Sequence, residues 1–407
     1  MFVQKFGGTS VKSLARIQNV ASIIARAAQQ EPVVAVISAM GDTTDYLVKL
    51  AHQASAAPER RELDALLATG EQISAALVSI ALNELKIRAV SLTGAQLGIT
   101  TESVHTAARI VDINTDRIRR HLKDGFVVVA AGFQGTTAEG DTTTLGRGGS
   151  DTTAVALAAA LNASTCDIFT DVNGVYTADP NIVPTARLLE QISYEEMLEM
   201  ARVGAQVLHP RAVELARKHR ITLRVRNTFD PQHNGTVLRG VDEMEIYRPV
   251  SGVTIDRDQA RLAILKVPDR PGIAGEIFAA LAEHRVNADM IIQAFHEDRS
   301  VNDITFTVKR SDLAVAQLAL EQAAKQTGAE GVLTDQDVAK VSVVGAGLMD
   351  QPDVAAQMFS ALGRASINIK MISTSDIRIS CVVSEKDSEL AVRVVHDLFH
   401  LDEIQAD

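Results

Sequence analysis

The sequence predicts an open α/β sheet with helices on both faces, followed by two small α+β modules. Three observations carry that reading. Short apolar runs alternate with helix-period segments through the first 240 residues, the pattern of a strand–helix–strand sheet. Between about residues 228 and 260, Pro231, Asn234, Gly235, Pro249 and Gly252 punctuate a polar stretch that reads as a connection. Beyond it the chain repeats itself: sliding the sequence by 81 residues lays Pro271–Ile291 over Pro352–Ile372, and eight of those 21 positions match. Chance gives about one or two matches, so the repeat reads as a duplication. The expected organisation is a domain over residues 1–240, a linker over 241–261, and modules over 262–335 and 336–407.

Taken in order, Phe2–Phe6 reads as the first strand and Ser13–Ala28 as a helix with apolar spacing near 3.6. Val33–Ile37 is a buried strand, followed by a helix from about Thr44 and a helical pattern over Asp64–Leu85. Ala89–Leu92, Phe126–Ala131, Thr165–Thr170 and Thr222–Val225 are further strands. Helical patterns at Asp151–Leu161, Tyr194–Ala201 and Arg211–Lys218 complete the series. Each copy of the repeat reads as strand, Pro-containing turn, helix, Asn-containing turn, two strands, helix, which is a split-βαβ order. In open α/β sheets ligands sit beyond the carboxyl ends of the strands. The Gly-rich segments of this chain follow strands.

Composition narrows the function. With 40 Lys+Arg against 51 Asp+Glu the net charge is −11, which disfavours non-specific binding to nucleic acid or to an anionic membrane. Hydrophobic residues at 46% and charged residues at 22% are ordinary globular values, which excludes a disordered or low-complexity chain. Cys166 and Cys381 are the two cysteines, as expected in a reducing compartment, and neither has a partner at metal-ligand spacing. An apparent strand directly after Met1 leaves no room for a targeting peptide, and no run of about 18 apolar residues stands out. The expectation is a cytoplasmic protein.

Five segments carry chemistry. Lys5-Phe6-Gly7-Gly8-Thr9-Ser10 puts a lysine at a strand end, then two glycines, then hydroxyls opening a helix. Glycines let backbone N–H groups approach a phosphate, and the helix start and the lysine supply positive charge. Thr142–Asp151 sets Arg147 among Gly146, Gly148, Gly149 and Ser150 before a small-residue helix. A guanidinium there suits a carboxylate, which it grips bidentately. Ser38–Asp45 is a hydroxyl-rich turn after a strand; Gly70-Glu71-Gln72 offers a carboxylate to an ammonium group. Thr170–Pro180, with Asn173-Gly174 as a turn, frames a purine and ribose with Tyr176 and Asp179-Pro180. Taken singly, each segment also reads as a capped turn or a solvated face. There is no G-x-x-x-x-G-K-[ST], and no H-R-D with D-F-G, which excludes P-loop and protein-kinase chemistry. Gly345-Ala346-Gly347 resembles half a dinucleotide fingerprint, but position 350 is Asp.

Together the motifs resemble the aspartate kinase family. K-F-G-G-T-S, S-A-M-G-D-T-T-D, T-G-E-Q, T-L-G-R-G-G-S-D, D-V-N-G-V-Y-T-A-D-P and V-L-H-P-R occur in that family's order, and the repeats resemble its two ACT domains. The likeness spans essentially the whole chain. It implies an amino acid kinase fold and phosphorylation of the L-aspartate β-carboxylate to 4-phospho-L-aspartate by ATP with Mg²⁺. That is the entry step to lysine, threonine and methionine. The lack of a fused dehydrogenase is similar to the monofunctional form.

By resemblance, Lys5 neutralises the transferring phosphoryl group, with Phe6, Gly7 and Gly8 as its backbone cradle, and Asp151 orients the lysine. Ser38 lies on the nucleotide side, Thr44 and Asp45 on the substrate side. Glu71 receives the aspartate ammonium, while Arg147, Gly148, Gly149 and Ser150 hold its α-carboxylate. Thr170, Asp171, Tyr176, Thr177, Ala178, Asp179, Pro180 and Asn181 match the adenosine and ribose pocket. Gln206 stands where many members carry a lysine beside the ATP phosphates, leaving Mg²⁺, Lys5 and Arg211 to neutralise them. No residue is assigned as a metal ligand. In the modules, Asp269, Gly272, Ala274, Asn287, Ala288, Asp289 and Gln293 are expected to bind an effector, threonine or lysine or both. Asp353, Val354, Asn368, Ser373 and Thr374 are their counterparts, with Asp353 where the first module has Gly272. The expected assembly is a homo-oligomer, or one with a separate regulatory ACT subunit started internally at Met244.

Overall fold

The computed structural model describes residues 1–240, 248–296, 300–348 and 351–403, in two compact units. The first gathers Met1–Tyr176, Leu188–Ala201 and residues 206–240; the second gathers Thr177–Arg187, Arg202–Ala205 and the residues from 248 on. Met244 lies outside the described residues.

In the first unit β1 (Phe2–Phe6) leads to α1 (Leu14–Ala28), whose cap is Ser13 accepting from the Arg16 N–H. Next come β2 (Val33–Ile37), α2 (Thr43–Ala54), α3 (Arg60–Leu67), α4 (Thr69–Glu84) and β3 (Ala89–Leu92). The single helical pattern expected over Asp64–Leu85 is therefore two helices that break at Ala68. The Arg60–Glu84 stretch is apolar enough to cross a membrane by composition, but half of its most apolar window is buried and α4 packs in the core through Ala75, Val78 and Leu82. Short strands β4 (Ile99–Thr101) and β5 (Ile110–Ile113), then α5 (Asp116–Lys123), precede β6 (Val127–Ala131). β7 (Gln134–Thr136) and β8 (Thr142–Thr144) lead to α6 (Gly149–Leu161) and β9 (Thr165–Thr170). β10 (Gln191–Ser193), α7 (Tyr194–Arg202), α8 (Pro210–His219), β11 (Thr222–Asn227) and β12 (Thr236–Arg239) follow.

The main sheet has the order β10-β12-β11-β9-β1-β2-β6-β3. Pairing is parallel from β11 through β3, while β12 runs antiparallel to β11. From β1 the chain builds outward through β2, then returns to the other side of β1 at β9. That reversal makes the β1 edge the crevice of the sheet. Continuous apolar runs such as Val33–Ile37 are buried on both faces, as parallel strands require. Residues of α1 and α4, among them Val20, Ile24, Val78 and Leu82, pack on Phe6, Ala35, Ile37 and Val129. The rings of Phe6 and Phe169 stack 4.8 Å apart across β1 and β9. A second sheet, β5-β4-β7-β8, has no counterpart in the sequence reading, because strands of three or four Thr-rich residues carry almost no periodicity.

The second unit contains β13 (Gly252–Pro268), α9 (Ile273–Glu283), β14 (Asp289–His296), β15 (Val301–Val308) and α10 (Leu313–Thr327). The repeat follows as β16 (Gly331–Val344), α11 (Asp353–Arg364), β17 (Met371–Ser375), β18 (Arg378–Ser384) and α12 (Ser388–Leu398). The linker expected over 241–261 is corrected at its end, since residues from Gly252 already lie in β13. Both modules share one antiparallel sheet, β14-β15-β13-β16-β18-β17, joined where β13 pairs with β16 from Gly252–Val344 to Leu265–Gly331. The equivalent residues Met290 and Met371 meet in one apolar cluster with Val338 and Val382. Gly345 and Gly347 sit so close to the Pro249 backbone that a Cβ would lie 2.0 Å and 2.8 Å from it, a packing role and not a cofactor fingerprint.

Candidate active site

Lys5, near the carboxyl end of β1, places Nζ 2.7 Å from Asp151 Oδ1 in the first turn of α6. Both side chains are largely buried, and Oδ1 has no well-aimed hydrogen bond, so the contact is chiefly one of charge. The pair lies at the amino end of α6, where the helix dipole is positive. A Cβ at Gly7 would lie 3.4 Å from Lys5 Nζ, and one at Gly8 would lie 2.9 Å from the Ala39 carbonyl oxygen. The two glycines thus bring the turn after β1 against the turn after β2.

Glu71, in the first turn of α4, is 3% exposed. Its Oε1 accepts from the Ala39 N–H at 3.1 Å, and Oε2 is buried without a partner. Burial pushes its carboxyl up to about 7. Gly70 makes the approach possible: a Cβ there would lie 2.9 Å from that of Ala39. Glu71 is therefore tied to the same β2 turn that touches Gly8. Ser38 and Thr44 on this turn and helix are half-buried, and Asp45 is exposed.

The Arg147 loop completes the crevice. Gly146 and Gly148 have φ of +76° and +67°, left-handed values that a side chain would strain. Arg147 between them is exposed. Ser150 is 8% exposed, and a Cβ on Gly132, just after β6, would lie 2.8 Å from its Oγ. Ser150 thus lies against the turn that follows β6. His209 and Arg211 also shape the loop. His209 caps α8 and packs on Gly148, and its burial lowers its pKa, in keeping with Nδ1 accepting the Arg211 N–H. Arg211 is corrected: its guanidinium donates to the Leu145 carbonyl at 2.7 Å and the Ala108 carbonyl at 2.9 Å, so it braces the loop and is not spare charge for phosphates. Gln206 is exposed.

The expected purine segment divides. Thr170 and Asp171 end β9 in the exposed turn, with Thr170 Oγ1 donating to Asp171, and Tyr176 is half-buried. After Tyr176 the chain enters the second unit. There Thr177 is buried, with Oγ1 2.9 Å from His396 Nε2, and Ala178 packs in the apolar core of the second module. Those two side chains are unavailable to a nucleotide, which corrects the expectation. Asp179 accepts from the Asn181 backbone and side chain, a local turn beside exposed Pro180.

In the modules, Gly272 has φ +92° and precedes α9, with Asp269 and Ala274 exposed beside it. The equivalent cap, Pro352, is right-handed, and Asp353 turns to Gln357. Val354 is corrected: its side chain lies in the core. Asn287, Gln293, Asn368 and Thr374 are exposed, while Ala288 and Ser373 are half-buried. Asp289 accepts from Lys340 Nζ at 2.8 Å; burial, the largest single influence, raises its pKa, but the charge and hydrogen bond of Lys340, the Met290 N–H and the Arg378 charge together lower it.

A lysine–aspartate pair at the crevice of a parallel sheet, with paired split-βαβ modules, defines an amino acid kinase with a regulatory half. Residues 1–227 match the amino acid kinase family, and residues 261–327 and 341–399 each match the ACT domain. The aspartate kinase of Pseudomonas putida is 48% identical over 404 residues, covering 99% of this chain and 98% of that protein. The aspartokinase of Thermus thermophilus is also 48% identical, over 99% of each chain. The solved structure of E. coli aspartokinase III in complex with aspartate and ADP superposes with a TM-score of 0.83 at 27% identity, covering 98% of this chain and 100% of that one. A second, in complex with lysine and aspartate, gives a TM-score of 0.76 at 26% identity over 98% and 99%. The chain belongs to the aspartate kinase family.

Proposed function

We propose that the first unit transfers the γ-phosphoryl group of ATP to the β-carboxylate of L-aspartate, and that the ACT modules inhibit it when threonine, lysine or both bind. The observation that carries the substrate side is Glu71, a buried carboxylate with one unpartnered oxygen. Burying such a charge is costly unless a cation meets it. The ammonium of a free amino acid supplies that cation; an N-acylated amino acid does not. Arg147 holds the α-carboxylate with Ser150, which leaves the β-carboxylate to attack. Lys5, aimed by Asp151, stabilises the charge spread over the transferring oxygens. Positioning and charge are most of what phosphoryl transfer needs. Among the described residues no group of three or more His, Cys, Asp or Glu is arranged to hold a metal ion. Mg²⁺ bound to the ATP phosphates would neutralise their charge.

A hydroxamate assay with ATP, Mg²⁺ and a panel of amino acids tests this reading. L-aspartate should give product, while glutamate and N-acetylglutamate should give little. Product from N-acetylglutamate but not aspartate would overturn it.

Feedback rests on the left-handed Gly272 turn and the exposed Gln293, and the lysine complex of E. coli aspartokinase III supports lysine as one ligand. Coupling of typical size, about 1–3 kcal/mol, suffices for strong inhibition. Gln293→Ala should relieve inhibition by threonine plus lysine with uninhibited kcat within about twofold. Asp289→Ala is a poorer probe, because it strips the nearest partner from Lys340, whose side chain is 3% exposed. Unchanged activity of the unmutated enzyme in saturating threonine and lysine would refute feedback. We place the enzyme in the cytoplasm, as a homo-oligomer or with a separate ACT subunit.

A further inference from the structure

Asp64 is fully buried on α3, yet none of its side-chain bonds goes to its own helix. Its Oδ1 accepts from Thr144 Oγ1 and its Oδ2 from His105 Nδ1, at 2.9 Å for the histidine. Both oxygens accept from the Thr106 N–H, at 3.1 Å and 2.9 Å. Thr106 has φ +71°, a left-handed value that a β-branched residue adopts only when its surroundings impose it. From there two short routes reach Arg147. Thr144 ends β8, three residues before it. The Thr106 carbonyl oxygen would lie 3.2 Å from a Cβ on Gly146, so the turn that presents Arg147 rests on the strained residue. The Ala108 N–H donates to the Thr144 carbonyl at 3.0 Å, closing the bracket, and Arg211 braces its far side through the Leu145 and Ala108 carbonyls. Asp64 also lies seven residues before Glu71, on the helix that α4 continues, with the Ala68 N–H donating to the Asp64 carbonyl.

We propose that Asp64 is a positioning residue that fixes the Arg147 loop to the α3–α4 pair, and so sets the span between the carboxylate-holding Arg147 and the ammonium-accepting Glu71. The proposal rests on the reading of Arg147 and Glu71 given above. A buried carboxylate satisfied by four bonds to one loop and strand is a rigid anchor, and geometry at a reacting site suffers from small displacements. Loosening it costs aspartate recognition and leaves ATP binding alone.

Kinetics on the full-length enzyme test this with Thr144→Val, which removes one arm and keeps the volume, and with Asp64→Asn. Each should raise KM for aspartate at least about fivefold, with KM for ATP within about twofold. Thr144→Ser should restore the wild-type value, and the double variant should show less than the sum of the two losses, because both cut the same link. A lowered Tm with both KM values unchanged, or equal rises in both, would mean that Asp64 serves stability only and would overturn the proposal. Should Asp64→Asn fail to fold, Thr144→Val and Thr144→Ser decide it. Arg147→Ala in the same assay separates the two readings. If it leaves KM for aspartate unchanged, the assignment of the loop falls. If it raises KM while Thr144→Val does not, only the role of Asp64 falls.

Discussion

Lys5→Ala should lower kcat by at least about a hundredfold while changing KM for aspartate little, because its charge is needed most where negative charge spreads in the transition state. The pair geometry explains why no neighbour compensates. Nζ is 2.7 Å from Asp151 Oδ1, and Lys5 lies in β1 two residues before Gly7. Arg211 is committed to two carbonyls of the Arg147 loop, and Gln206 brings no charge. Asp151 would lose its partner in the variant but keep the amino end of α6, so the fold should survive. Steady-state kinetics with an unfolding control read the result. Near-normal turnover would remove Lys5 from the chemistry.

The second large effect belongs to Arg147. Arg147→Ala should raise KM for aspartate roughly ten- to a hundredfold, the weight of a charged hydrogen bond of about 1.5–3 kcal/mol, with KM for ATP nearly constant. The side chain is exposed between two left-handed glycines, so removing it disturbs no core. An effect confined to ATP would move Arg147 to the nucleotide side.

Much of this was legible in the sequence for physical reasons. Val33–Ile37 is an apolar run of strand length and Thr165–Thr170 a short stretch rich in β-branched and aromatic residues, and the structure has strands at those residues. The duplication around Pro271 and Pro352 was visible because each copy fills its own core with equivalent residues, Phe278 and Leu281 in one and Phe359 and Leu362 in the other. Lys5, Glu71 and Arg147 stood out by their glycine neighbours, and Gly8, Gly70 and Gly148 each allow a contact that a Cβ would block. What escaped was long-range. Nothing local tells that Asp64 meets Thr144, 80 residues away, or that Thr177 meets His396, 219 residues away. The D-V-N-G-V-Y-T-A-D-P run reads as one motif, yet the chain changes unit inside it, at Tyr176.

The central claim is that Glu71 accepts the ammonium of a free amino acid, and the pH dependence of KM for aspartate tests it most directly. Burial holds the Glu71 carboxyl at about 7, and only the carboxylate pairs with an ammonium. As pH falls below 7 the group becomes protonated and the site loses affinity; above 7 it is ionised and affinity levels off. With saturating MgATP, KM for aspartate should rise by up to about tenfold per pH unit below 7 and stay flat above it. In the complex the ammonium draws the pKa down, so kcat should vary little over the same range. Glu71→Gln should raise KM at every pH and abolish the dependence. A KM that is flat from pH 6 to 8 in the unmutated enzyme, or a Glu71→Gln variant that keeps both the wild-type KM and its pH profile, would contradict the account.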